Sequence, residues 1–101
     1  GGGRFVVLAP EQETFEGKAE LSITDLAGFS FIALNSRGPL GQALADYIAT
    51  HDVDLDVVAW SETYQVAKAL VRQGVGVTIA DEITARSGTM TGLRQYDLQP
   101  A

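Results

Sequence analysis

The chain contains no cysteine, which excludes a disulfide framework, a thiolate nucleophile and a cysteine metal site. Histidine occurs once, at His51, so no multi-histidine metal centre can form. Cations are scarce. Seven Lys and Arg face 13 Asp and Glu, giving a formal net charge of −6 and an isoelectric point near 4.5. A surface of that sign repels phosphate backbones, so this segment is not expected to contact nucleic acid itself. No apolar run approaches the ~18 residues of a membrane span. Gly1-Gly2-Gly3-Arg4 leads straight into strand-like residues without a signal-peptide pattern. These absences predict a cytoplasmic protein with no membrane partner.

What is present suits one small α/β domain over residues 1–101, of which 46% are apolar. Arg4 to Ala9 is a continuous apolar run that reads as a buried strand, ended by Pro10. Glu11 to Glu20 reads as a surface loop with Phe15 its only large apolar residue. Thr24 to Gly28 has the caps of one helical turn, with Thr24 as N-cap. Phe29 to Leu34 is a second strand. Pro39 suits the first position of a helix, and Leu40, Ala43, Leu44, Tyr47 and Ile48 form one apolar stripe along it. Leu55 to Trp60 is a third strand, with Val57 to Trp60 its expected buried centre. Ser61 is placed as the cap of a second helix, Glu62 to Gln73, stopped by Gly74. Val75 to Ala80 is a fourth strand, Asp81 caps a short helix to Arg86, and Leu93 to Leu98 is a last strand. Strands alternating with helices predict a three-layer fold: a mostly parallel sheet of about five strands with helices on both faces.

In open α/β sheets, ligands gather at the carboxyl ends of strands, beside helix N-termini. Two such places occur, Asn35 to Leu40 and Ser61 to Tyr64. Each offers unpaired helix N–H groups with a hydroxyl or amide beside them, a combination that favours anions. Arg37 would add a positive charge. A bland account stands beside this one. Ser36, Gly38 and Ser61 also suit plain helix capping, the commoner role for each alone. Arg37 suits solvation, Trp60 suits core packing as well as a pocket wall, and His51 suits the helix dipole. Other chemistry has no footing. "GVGV", Gly74 to Val77, follows a helix and opens a strand, the reverse of a dinucleotide loop. No phosphate-loop lysine motif occurs, and the lone histidine has no nucleophile in register.

The segments "ITDLAGFSFIAL", "GPLGQALADYI" and "AWSETYQVAKALVRQGVGVTIAD" together resemble the effector-binding region of LysR-type transcriptional regulators. The most telling piece is "ETYQVAKALVRQGVGVTIADEITA", in which a helix ends in a Val-x-x-Gly-x-Gly-Val turn and runs into a strand. The likeness covers Arg4 to about Pro100. It implies a fold like one half of a periplasmic binding protein: the second regulatory subdomain, with 4–9 and 93–98 as strands joined to a first subdomain. It implies a small organic, anionic effector in the cleft between subdomains, no enzyme activity and no cofactor. DNA would be bound by a separate N-terminal domain, in a parent that assembles as a homodimer or homotetramer. Carried over by position, the effector residues are Asn35, Ser36, Arg37, Pro39 and Leu40, with Ser61 and Thr63. Glu11 to Gly17 departs from the family in lacking its frequent His-Pro-Leu. The alternative is a ligand-binding lobe of a periplasmic solute-binding protein. An α/β enzyme and a plain assembly module are further rivals. An enzyme would need a base in the cleft, where Glu62 is the carboxylate available.

Overall fold

The computed structural model describes residues 5–35 and 39–99, the side chains of 39–41 excepted. Along the chain run β1 (Phe5–Pro10), β2 (Glu20–Ser22), β3 (Ser30–Leu34), α1 (Pro39–His51), β4 (Asp56–Ser61), α2 (Tyr64–Arg72), β5 (Thr78–Asp81), α3 (Glu82–Arg86) and β6 (Leu93–Gln99). Short 3-10 turns at Phe15–Gly17 and Ile23–Leu26 flank β2.

Hydrogen bonding joins the strands as β2-β6-β1-β5 and as β3-β4. A parallel bridge between Phe31 and Val77 stitches the two groups together. There the Ile32 amide donates to Val77 O at 2.8 Å, and the Val77 amide to Ser30 O at 2.9 Å. The strands thus lie side by side as β4-β3-β5-β1-β6-β2. Only β1 runs against the rest, antiparallel to both β5 and β6. The sheet is mixed but mostly parallel, as the alternation of strands and helices predicts.

Both faces are covered, and the alternation along β1 shows how. Val7 and Ala9 join Phe31, Ala33, Ile79 and Leu44 of α1 on one face. Val6 and Leu8 join Ala80 and Ala85 of α3 on the other, where Ile32 meets Ala67 and Val71 of α2. A strand with period-two side chains and a helix on each side has to be apolar throughout. That is why "FVVLA" shows no polar alternation.

Several expectations are corrected. The centre of β4 is not buried: Val58 is 48% and Trp60 67% exposed. Among the described residues β4 is the last strand of the sheet, with β3 its one neighbouring strand. Glu11–Glu20 is more than a loop, since it ends in β2, a sixth strand parallel to β6. Within it Phe15, Glu16 and Gly17 all take positive φ. Phe15 is held there by burial, its ring 4.6 Å from Phe29 and 5.0 Å from Tyr96. The helical turn expected over 24–28 is the 3-10 turn Ile23–Leu26 with Ser22, not Thr24, at its cap. The Asp25 carboxylate accepts the Ser22 amide at 2.9 Å and a bond from Lys18 at 3.1 Å. These partners lower its pKa, the Ser22 amide most. β5 starts at Thr78, not Val75, because the turn at Gln73–Gly74 and a bend at Val75 follow α2, and Val77 forms only a bridge to Phe31.

Gly76, just before the Val77 bridge, is a point of close backbone approach. A Cβ there would sit 2.4 Å from Ser30 O, a backbone atom that cannot swing aside. The close approach is what lets β3 and β5 bridge. Replacing Gly76 with alanine should therefore destabilise the chain by about 3 kcal/mol, read as a lowered urea midpoint. Gly74 with φ +81 has open space around it, so Gly74→Ala should cost less, about 1 kcal/mol, and only through its backbone.

Candidate functional site

β3 and β4 are parallel neighbours, so their carboxyl ends emerge at one edge, with Leu34 paired to Ser61. One further bond extends the ladder past β3: the Asn35 amide donates to Ser61 O at 2.7 Å. The β3→α1 and β4→α2 junctions are therefore adjacent, as the sequence reading requires. Across the gap the Asn35 Nδ2 donates to Glu62 Oε1 at 3.1 Å, with both residues exposed. An amide and a carboxylate thus meet at this edge.

The expected site residues separate into groups. Asn35 stands at this edge. Thr63 is the N-cap of α2, its Oγ1 accepting the Val66 amide at 3.2 Å. Ser61 is not the cap: it ends β4, only 2% exposed, and its hydroxyl donates to Ala33 O at 3.4 Å. The shift arises because Ser61 still pairs with β3, so the chain leaves the sheet two residues later. Pro39 opens α1 as predicted and Leu40 follows it, but their side chains lie outside the described residues, as do Ser36 and Arg37 altogether. Glu62 is the residue of this edge that sequence reasoning undervalued. Sequence reasoning placed it in the first turn of α2, whereas it precedes the Thr63 cap, and its bond to a residue 27 positions earlier was not legible.

A third junction, β5→α3, comes next along the same edge. Asp81 caps α3, Oδ2 accepting the Thr84 amide at 3.0 Å, as the sequence predicts. Its other oxygen, Oδ1, is buried and unpartnered, as is the Tyr64 hydroxyl at the start of α2. A buried polar atom left so costs about 1–3 kcal/mol. Burial pushes the Tyr64 phenol pKa up, and the Asp81 charge adds to the rise. On the other side of the sheet, an apolar hollow of about 360 Å³ lies between α1 and the β3-β4 pair, lined by Leu44, Ile48, Leu55, Val57 and Trp60. Among the described residues no group of three or more His, Cys, Asp or Glu could hold a metal, and no helix is long and apolar enough to cross a membrane.

The chain is an α/β domain with a mixed, mostly parallel sheet and helices on both faces. Residues 2–100 match the LysR substrate binding domain family, and the chain belongs to it. It is an effector-binding domain of the LysR-type regulators, not an enzyme. Over 67 residues it is 40% identical to the HTH-type transcriptional regulator DgcR of Pseudoalteromonas sp, a match spanning 66% of this chain and 23% of that protein. In structure it is similar to the regulatory domain of CcmR from Synechocystis in complex with 2-PG, with a TM-score of 0.80 at 23% identity. That match covers 96% of this chain and 47% of the other. The effector binding domain of QuiR in complex with shikimate superposes with a TM-score of 0.83 at 15% identity, covering 99% of this chain and 47% of that one. The chain therefore spans about half the length of these structures and about a quarter of the regulator DgcR.

The cap at Thr63 gives a direct test of how α2 is set. Thr63→Ala removes the acceptor for the Val66 amide and should cost about 1 kcal/mol, a fall of several degrees in Tm. Thr63→Ser keeps the acceptor and should restore most of it. Equal melting of the alanine variant and the native chain would show that the cap contributes nothing.

Proposed function

We propose that this chain is the second half of an effector-sensing domain, and that it binds a small organic anion in a cleft shared with a first subdomain. The residues assigned to effector are Asn35, Ser36, Arg37, Pro39, Leu40, Ser61 and Thr63. The observation that supports the reading is the bond from the Asn35 amide to Ser61 O, which sets the carboxyl ends of β3 and β4 side by side. The free N–H groups and positive dipole ends of the helices that follow favour a carboxylate or phosphate. The crossing strands agree with it. Phe5, the start of β1, pairs with Asp81 at the edge that carries the junctions, and β6 ends toward that same edge. A subdomain joined through 4–9 and 93–98 would stand over that edge.

In this reading the effector touches both subdomains and draws them together. It shifts the balance only by its preference for the closed state. Closure then changes the packing of a homodimeric or homotetrameric parent and repositions DNA-binding arms carried elsewhere, which is transcriptional control at a distance. Ser61 acts through its backbone: its hydroxyl is turned into the sheet, while its carbonyl fixes Asn35.

Trp60 is the single tryptophan, lies next to Ser61 and is exposed. Its fluorescence in the parent regulator should report binding during titration with a panel of small carboxylates and organic phosphates. At least one should give a saturable change, and Asn35→Ala should weaken that binding about tenfold, ~1.4 kcal/mol. Saturation only by neutral or cationic compounds would overturn the anion assignment. An unchanged affinity in Asn35→Ala would move the site off this edge.

A further inference from the structure

Two large apolar side chains stand in solvent where helices leave the sheet. Ile83 is 76% exposed and Val66 48%. Ile83 lies in the first turn of α3, just after the Asp81 cap, and Val66 in the first turn of α2, just after the Thr63 cap. The two helices are neighbours here: the Tyr64 ring of α2 packs against the cluster that holds Ala85 of α3.

A single exposed isoleucine or valine is ordinary on a protein surface. Direction and place set these two apart. Cα–Cβ bonds in a helix tilt toward its N-terminus, so first-turn side chains lean over the end from which the helix starts. For α2 and α3 that end is the carboxyl edge of the sheet. β1 begins at the same edge, with Phe5 opposite Asp81, and so enters beside the start of α3. β6 ends there too, with Asp97 opposite Val6. Anything joined through these two strands stands next to Ile83. The similar domains of CcmR and QuiR hold about as much chain again, since this chain covers 47% of each. We propose that Val66 and Ile83 form an apolar seat on which the subdomain joined through 4–9 and 93–98 rests, with or without effector. Burial of the two side chains favours the arrangement that covers them. The inference rests on the proposed function for its occupant, but the seat touches that subdomain and not the effector.

The chain has no cysteine, so one introduced by substitution can be labelled and located by peptide mass. With no effector present, Ile83→Cys and Val66→Cys should each react with a maleimide about tenfold more slowly in the parent regulator than in this chain alone. Gln73→Cys, exposed at the far end of α2, should react alike in both. A benzophenone maleimide on Ile83→Cys should, on illumination, join it to residues of the same polypeptide outside this segment, which keeps the mass of one subunit on a denaturing gel. A doubled mass would put a second subunit there and overturn the seat. Equal labelling of Ile83→Cys and Val66→Cys in chain and parent would overturn it as well. Because no effector is used, the seat can fail while the anion titration succeeds, and a failed titration leaves the labelling result standing.

Discussion

The pairing of β3 with β4 is the constraint on which the edge depends. Parallel strands must leave the sheet on the same side, and the Asn35 amide carries the ladder one residue beyond β3 to Ser61 O. The register is irregular in a way that matters. Phe31 pairs with Val57 but Ile32 with Ala59, so Val58 is an extra residue. In an unbroken strand, residues 57 and 60 point to opposite faces. The bulge brings both Val57 and Trp60 to the α1 side, where they line the same hollow. It also sends Ser61 to the α2 side, where its hydroxyl can reach Ala33 O. A slip of one residue would reverse these placements and leave Asn35 without its acceptor.

The regular parts of this fold were legible because they obey simple periodicities. Pro39 announced α1, Asp81 announced α3, and the buried runs of β1 and β3 could be nothing but central strands. The errors share a cause: neighbourhood in the sheet is not written locally. "DVVAW" has the composition of a buried strand, but its place at the edge leaves Trp60 in solvent. The cap of α2 falls on Thr63 rather than Ser61 for the same reason. Both residues can cap, and only the pairing of Ser61 with Leu34 decides that the strand continues through it. Glu62 bonds at this edge to a partner far away in sequence. β2 is three residues long and owes its existence to β6, so no local pattern could have announced it.

α2 is held at both ends by different means. Toward its C-terminus the buried Lys68 ammonium donates to the carbonyls of Ala85 and Ser87, and Arg72 to those of Thr89 and Thr91. Burial lowers the Lys68 pKa, with repulsion from Arg72 added. A cation in that place is tolerable because carbonyls at the end of α3 and in the following loop surround it. These bonds fix α2 to the segment 85–91, away from the junctions. At the other end, among the described residues, Thr63 caps the helix and the Tyr64 ring packs against Val6, Leu8, Ala80 and Ala85.

The reversed strand explains why the start of β1 and the end of β6 share an edge with the carboxyl ends of β3 and β4. If β1 ran with the other strands, its first residue would lie at the amino end of the sheet, far from Asn35. Running against them, it starts at the carboxyl end, with Phe5 opposite Asp81. β6 then runs antiparallel to β1, Val6 facing Asp97 and Pro10 facing Leu93, and so returns the chain to that end. One reversal among six strands is thus enough to make entry, exit and both helix N-termini coincide. In a fully parallel sheet β1 would start at the end opposite the carboxyl ends of β3 and β4, and a segment joined to it would meet the far side of the sheet from Asn35.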